Sequence, residues 1–143
     1  MNEPHAATME ATRPLLPRGP IVLVDDDELL RTALVAILER AGFTVHATVD
    51  GEQALRFIEK NPVSLVITDL IMPQIEGIEL IVRLRKSRPD LKIIAISGGG
   101  RVRPETFLGA AKSLGAWKVM SKPFSTPDLI AAIHEALETT PGI

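Results

Sequence analysis

Three acidic residues, Asp25-Asp26-Asp27, follow directly on the apolar run Ile21-Val22-Leu23-Val24. Carboxylates crowded at one point repel one another and raise each other's pKa unless a cation occupies the gap. The triplet therefore asks for a metal ion or for a protonated acid. Three more chemically capable residues close similar runs: Asp69 after Leu65-Val66-Ile67-Thr68, Ser97 ahead of Gly98-Gly99-Gly100, and Lys122 ahead of Pro123. If these runs are parallel neighbours in one sheet, the side chains converge on one edge of it. Ligands of open α/β sheets bind outside the carboxyl ends of the strands. The convergence supplies carboxylate oxygens for a divalent cation, a hydroxyl and an ammonium. With no cysteine in the chain and no histidine nearby, such oxygen donors favour Mg²⁺ over zinc.

The elements that would position these residues are legible as alternating patterns. Short apolar runs rich in β-branched residues occur at Ile21–Val24, Val63–Ile67 and Ile93–Ile96, with weaker ones at Phe43–Ala47 and Lys118–Met120. They are too short for buried helices and read as strands. Between them lie helical faces. Leu30, Leu34, Ile37, Leu38 and Ala41 form one, ended by Gly42 where a left-handed cap is expected. Ala54, Phe57 and Ile58 form a shorter one before Pro62, and Ile78, Ile81, Val82 and Arg85 a third that Pro89 closes. Phe107, Ala111 and Leu114 follow Pro104 and end at Gly115; Leu129, Ile130, Ile133 and Leu137 follow Thr126 and Pro127, placed as N-cap and first helical residue. Strict β-α alternation implies a doubly wound α/β fold, a parallel sheet covered on both faces by helices and joined by right-handed crossovers. Uninterrupted apolar strands are what such two-sided burial requires.

Length and composition bound the rest. The 143 residues suffice for one domain with a sizeable core. Hydrophobic residues at 45% and charged residues at 24% give the balance of a soluble globular protein. A net charge of −2 speaks against a nucleic-acid surface, and the lack of cysteine excludes disulfides and thiolate metal sites. No apolar run approaches the roughly 18 residues needed to span a bilayer, and no secretory signal opens the chain. The expected location is therefore cytoplasmic. Residues 1–19, interrupted by Pro4, Pro14 and Pro17, read as a disordered leader, residues 20–138 as the folded domain and 139–143 as a short tail.

The runs Val24-Asp25-Asp26-Asp27, Thr68-Asp69-Leu70-Ile71-Met72-Pro73, Ile96-Ser97-Gly98 and Ser121-Lys122-Pro123-Phe124, four motifs in order and each at a strand end, resemble the receiver domain of two-component response regulators. The resemblance implies a flavodoxin-like sheet of five strands in the order 2-1-3-4-5 with five helices. It implies that Asp69 is the phosphoacceptor, that Asp25, Asp26, Asp69 and the backbone carbonyl of Ile71 hold Mg²⁺, and that Lys122 pairs with the acceptor carboxylate and then with the phosphoryl group. Ser97 and Gly98 would read the phosphoryl group, and the Lys122–Pro123 bond would be cis. A sensor histidine kinase or a histidine phosphotransferase would supply the phosphoryl group. The face around helix 4, strand 5 and helix 5 would then switch, engaging a downstream protein partner and allowing a homodimer on activation. No direct nucleic-acid or membrane partner is expected, and no enzymatic turnover beyond self-phosphorylation and self-dephosphorylation.

Some residues have plainer readings. Asp27 reads as the N-cap of the first helix, since acids favour helix N-termini. His5, His46 and His134 read as surface or structural residues, and Arg101 and Arg103 either as contacts for a partner or as part of a solvated basic loop. Receivers commonly carry Tyr or Phe three residues before the lysine; here Val119 occupies that position, and the chain has no tyrosine. Trp117 lies two residues earlier, on the same face by strand alternation. The residues also leave open two alternatives: a receiver-like interaction module that does not use phosphate, and a haloacid-dehalogenase-type phosphatase suggested by Asp25-x-Asp27. The latter wants a further late acidic pair, where only Asp128, Glu135 and Glu138 stand, all at helical positions.

Overall fold

The structure, a computed structural model, describes residues 19–70, 77–97 and 112–138. In chain order they form β1 (Ile21–Val24), α1 (Glu28–Arg40), β2 (Val45–Thr48), α2 (Gly51–Lys60), β3 (Leu65–Asp69), α3 (Gly77–Ser87), β4 (Ile93–Ser97), the end of α4 (residues 112–114), β5 (Lys118–Ser121) and α5 (Thr126–Glu138). The five strands are parallel in the order β2-β1-β3-β4-β5. The expected doubly wound sheet is therefore present, and its five helices follow the expected alternation. The expected leader (1–19, described only at Gly19), the tail (139–143), Ile71, Gly98–Gly100 and most of the fourth helix lie outside the described residues.

Alternation along each strand divides the core into two layers. Val22, Val24, Val66, Ile93 and Ala95 face α2 and α3, meeting Ala54, Ile58, Leu80, Ile81 and Leu84. Ile21, Leu23, Leu65, Ile67, Ile94 and Ile96 face α1 and α5, meeting Leu34, Leu38, Leu129, Ala132, Ile133 and Ala136. Because each strand residue has a helix over it on one side or the other, the strands can be apolar without a break. Each fully buried Leu or Ile side chain contributes about 1.5–3 kcal/mol relative to exposure, so the central strands are the most firmly held part of the molecule.

Element ends differ from expectation in instructive ways. β3 begins at Leu65 and runs to Asp69, two residues later at both ends than the apolar run Val63–Ile67 suggests. Pairing decides this: Leu65 lies opposite Ile21 and Asp69 opposite Ile96. β2 likewise runs from Val45 to Thr48, because Val45 pairs with Ile21. At α5, Ser125 is the cap, since its Oγ accepts the Asp128 N–H at 3.1 Å and its carbonyl accepts the Leu129 N–H; Thr126 is thus the first helical residue. Asp27 caps α1 as expected, accepting the Leu30 N–H at 3.2 Å, and Gly42 beyond α1 has the expected positive φ of 102°.

Trp117 corrects one expectation. It precedes β5, and its ring packs on the α1/α5 layer whereas Val119 packs on the α2/α3 layer. The two side chains lie on opposite sides of the sheet, so Trp117 does not stand in for an aromatic at position 119.

Candidate functional site

Register brings the acidic residues together. Val24 pairs with Thr68, so Asp25 and Asp69 are the next residues on adjacent strands, at the carboxyl end of the sheet. Carboxylate oxygens of Asp25, Asp26 and Asp69 all lie within 4.8 Å of one another. The three differ in setting: Asp25 is 3% exposed, Asp69 is half-buried and Asp26 is exposed.

The turn between β1 and α1 is held by its own polar groups. Asp25 closes the β1–β2 ladder with its N–H on the Thr48 carbonyl at 3.2 Å, and its Oδ1 accepts the Asp27 N–H at 2.9 Å. Burial raises the Asp25 pKa above its ordinary value. The Asp27 N–H opposes this, the Asp69 charge adds to it, the Lys122 charge opposes it, and the Asp26 charge adds to it. The chain has thus placed an acid where ionisation is unfavourable unless positive charge arrives.

One positive charge comes from the far side of the sheet. The Lys122 N–H continues the β4–β5 ladder by one step, donating to the Ser97 carbonyl at 2.8 Å. From there its Nζ reaches Asp69 Oδ2 at 3.3 Å. Because β4 lies between β3 and β5, the Lys122 and Asp69 side chains together span two strand spacings of about 4.8 Å each, which selects a long, flexible cation. The peptide bond from Lys122 to Pro123 is cis, as expected. Ser97, 1% exposed, ends β4 between the strands that carry Asp69 and Lys122.

Two residues at the site escape sequence reasoning. Gly77 opens α3 with its N–H on the Leu70 carbonyl at 3.0 Å, and a Cβ there would stand 2.2 Å from the Asp69 carbonyl oxygen and 2.5 Å from Leu70 Cα. Only glycine lets α3 start so close behind Asp69. The one sequence signal is a glycine just ahead of an apolar helical face. Arg31, in the second turn of α1, donates from Nη1 to the Asp25 carbonyl at 2.8 Å. On a helical wheel it looks like an ordinary solvent-facing cation.

The convergence of an acidic cluster, a strand-end lysine and a strand-end serine on a 2-1-3-4-5 sheet has a family counterpart. The model of the response regulator receiver domain matches residues 21–134. This chain belongs to the receiver domain family of two-component response regulators. It is 38% identical over 117 residues to the response regulator receiver protein CpdR of Brucella abortus, covering 82% of this chain and 95% of that protein. It is 35% identical over 124 residues to the transcriptional regulator NtrC of a Bradyrhizobium strain, covering 85% of this chain. The chain spans about a quarter of the length of the NtrC relatives it matches. Among solved structures, the receiver domain of NtrX from Brucella abortus superposes with a TM-score of 0.78 at 30% identity, covering 84% of this chain and 99% of that one. This is a signalling domain, and neither the phosphate-independent module nor the phosphatase draws support from these relatives. No helix among the described residues is long and apolar enough to cross a membrane.

Proposed function

We propose that Asp69 is the phosphoacceptor, taking a phosphoryl group from a phosphohistidine donor at a site that holds Mg²⁺. The observation that carries this reading is the cluster of three carboxylates within 4.8 Å of one another, with Lys122 Nζ 3.3 Å from Asp69 Oδ2. The donor set fits the ion: hard oxygens, partly open to solvent, with one acid whose ionisation is disfavoured without added positive charge. Asp25, Asp26 and Asp69 would hold Mg²⁺, together with the Ile71 carbonyl, which lies outside the described residues. When bound, the ion would neutralise charge on the phosphoryl oxygens.

The rest of the chemistry belongs to the chain. An Asp69 oxygen forms the new bond to phosphorus while the bond from phosphorus to the donor's histidine nitrogen breaks, leaving an acyl phosphate and a free imidazole. Such a transfer depends on positioning and charge more than on a base. Lys122 faces the acceptor carboxylate and would follow the charge onto the phosphoryl oxygens. Ser97, with Gly98 beyond the described residues, would donate to the new group, whose added charge of about −2 is what the domain converts into a shape change. The output face is then α4, β5 and α5, read by a downstream protein or by a second copy of the chain. We place the receiver at residues 20–138, in the cytoplasm, with a sensor kinase or phosphotransferase as donor and no enzymatic turnover beyond its own phosphorylation and dephosphorylation.

Acetyl phosphate with Mg²⁺ should add one phosphoryl group, read as a mass increment, and Asp69→Ala should abolish it. Chelating the metal should do the same to the natural chain. Failure of every donor to label a chain that still binds Mg²⁺ would overturn the assignment.

A further inference from the structure

We infer that Arg31 is a positioning residue for the cation site, holding the Asp25–Asp26 peptide so that the Asp26 carboxylate stays aimed at Asp25 and Asp69. The inference rests on the Mg²⁺ reading above. Its basis is the side-chain hydrogen bond to the Asp25 carbonyl, made from a residue whose backbone is anchored to Asp27 by the first helical hydrogen bond. The Arg31 N–H donates to the Asp27 carbonyl at 2.8 Å, and its guanidinium Nη1 donates to the Asp25 carbonyl at 2.8 Å.

The three acids depend on that grip unequally. Asp25 is buried, laddered to Thr48 through its N–H and tied to the Asp27 N–H through its side chain. Asp69 is the last residue of a central strand and is paired with Lys122. Asp26 is exposed and lies past the end of β1, in the turn before α1. The peptide that joins it to Asp25 sets where its Cα, and so its carboxylate, can lie. The carbonyl of that peptide is the group Arg31 holds.

The choice of residue supports a purpose beyond helix stability. Arg31 is the fourth residue of α1, where a cation opposes the helix dipole. A planar guanidinium on the Asp25 carbonyl, unlike a lysine ammonium, fixes direction as well as charge.

The test is a Mg²⁺ titration of the full chain, followed by amide shifts of Asp25, Asp26 and Asp69, together with urea unfolding in EDTA. Partners that orient metal-binding residues are worth about tenfold or more in affinity, so Arg31→Met should weaken the Mg²⁺ midpoint by about tenfold, with Arg31→Lys in between. Arg40→Met removes the same charge from the last turn of α1 and should leave the midpoint unchanged. A role in stability alone would lower the urea midpoint of Arg31→Met and leave its Mg²⁺ midpoint within about twofold of the natural chain, overturning the inference. Should Arg31→Met fail to fold, Arg31→Lys decides in the same way, a natural midpoint overturning the inference. If the natural chain shows no Mg²⁺ response, the metal reading itself falls, and this inference with it.

Discussion

Strands β1 and β3 sit inside the sheet with every residue before Asp69 buried, whereas β5 at the rim is half-buried from Lys118 to Met120 and exposed at Ser121. The site draws on both regions. Its acids stand at the ends of the central strands, where two core layers hold the backbone. Its lysine stands just beyond the rim strand and reaches inward across β4. The difference assigns separate tasks. Acids that must keep a fixed spacing belong on the well-covered centre of the sheet, and under the proposed function a lysine that follows charge onto a phosphoryl group belongs where displacement costs least. Val119 fits that division. Lacking an aromatic ring at this position, β5 offers only a small side chain packed against the α2/α3 layer.

The contrast can be broken by matched truncations. Ile67 and Met120 face the same layer, one fully buried on β3 and one half-buried on β5. Ile67→Ala should cost about 4 kcal/mol of unfolding free energy, near the upper end for a buried isoleucine. Gly77→Ala drives a methyl into the Asp69 backbone and should cost about 3 kcal/mol, with loss of Mg²⁺ binding beyond what the instability explains. Met120→Ala should cost only about 1 kcal/mol, because a half-buried side chain has less to lose. Urea unfolding measures all three, and equal costs for Ile67 and Met120 would remove the distinction between centre and rim.

A smaller effect concerns charge. Burial, joined by the charges of Asp69 and Asp26 and opposed by the Asp27 N–H and Lys122, holds the Asp25 carboxyl above its ordinary value of 3.8. The folded state then binds the proton more tightly than the unfolded chain does. This contribution to stability is complete below 3.8 and is lost as pH rises through the raised folded value. Asp25→Asn should therefore flatten the pH dependence of stability in EDTA and make the chain more stable at neutral pH. Added Mg²⁺ should narrow that gap by stabilising only the natural chain.

Much of this was legible in the chain itself. The fold class followed from β-α alternation and from apolar runs that only a sheet covered on both sides would tolerate. The motif residues Asp25, Asp26, Asp69, Ser97 and Lys122 stood out because each closes such a run. Strand ends were less legible, since Val63 and Phe43 are as apolar as true strand residues and only pairing with Ile21 decides where β3 and β2 begin. Thr126 reads as the cap of α5 in the sequence, yet Ser125 takes that place, because both carry a suitable hydroxyl and residue type does not separate them.

The sequence by itself determined which chemical groups are available and, through local hydrophobic periodicity, which elements carry them. Tertiary structure alone decided what those groups meet. Register set Asp25 beside Asp69, strand order sent Lys122 across β4, and the close start of α3 made Gly77 obligatory. The same packing turned Arg31 from a surface cation into the group that holds the acidic turn, and put Trp117 and Val119 on opposite layers. Periodicity is a property of neighbours along the chain, whereas these contacts join residues far apart in it or depend on a turn's conformation, so they arise only once the sheet has closed its core.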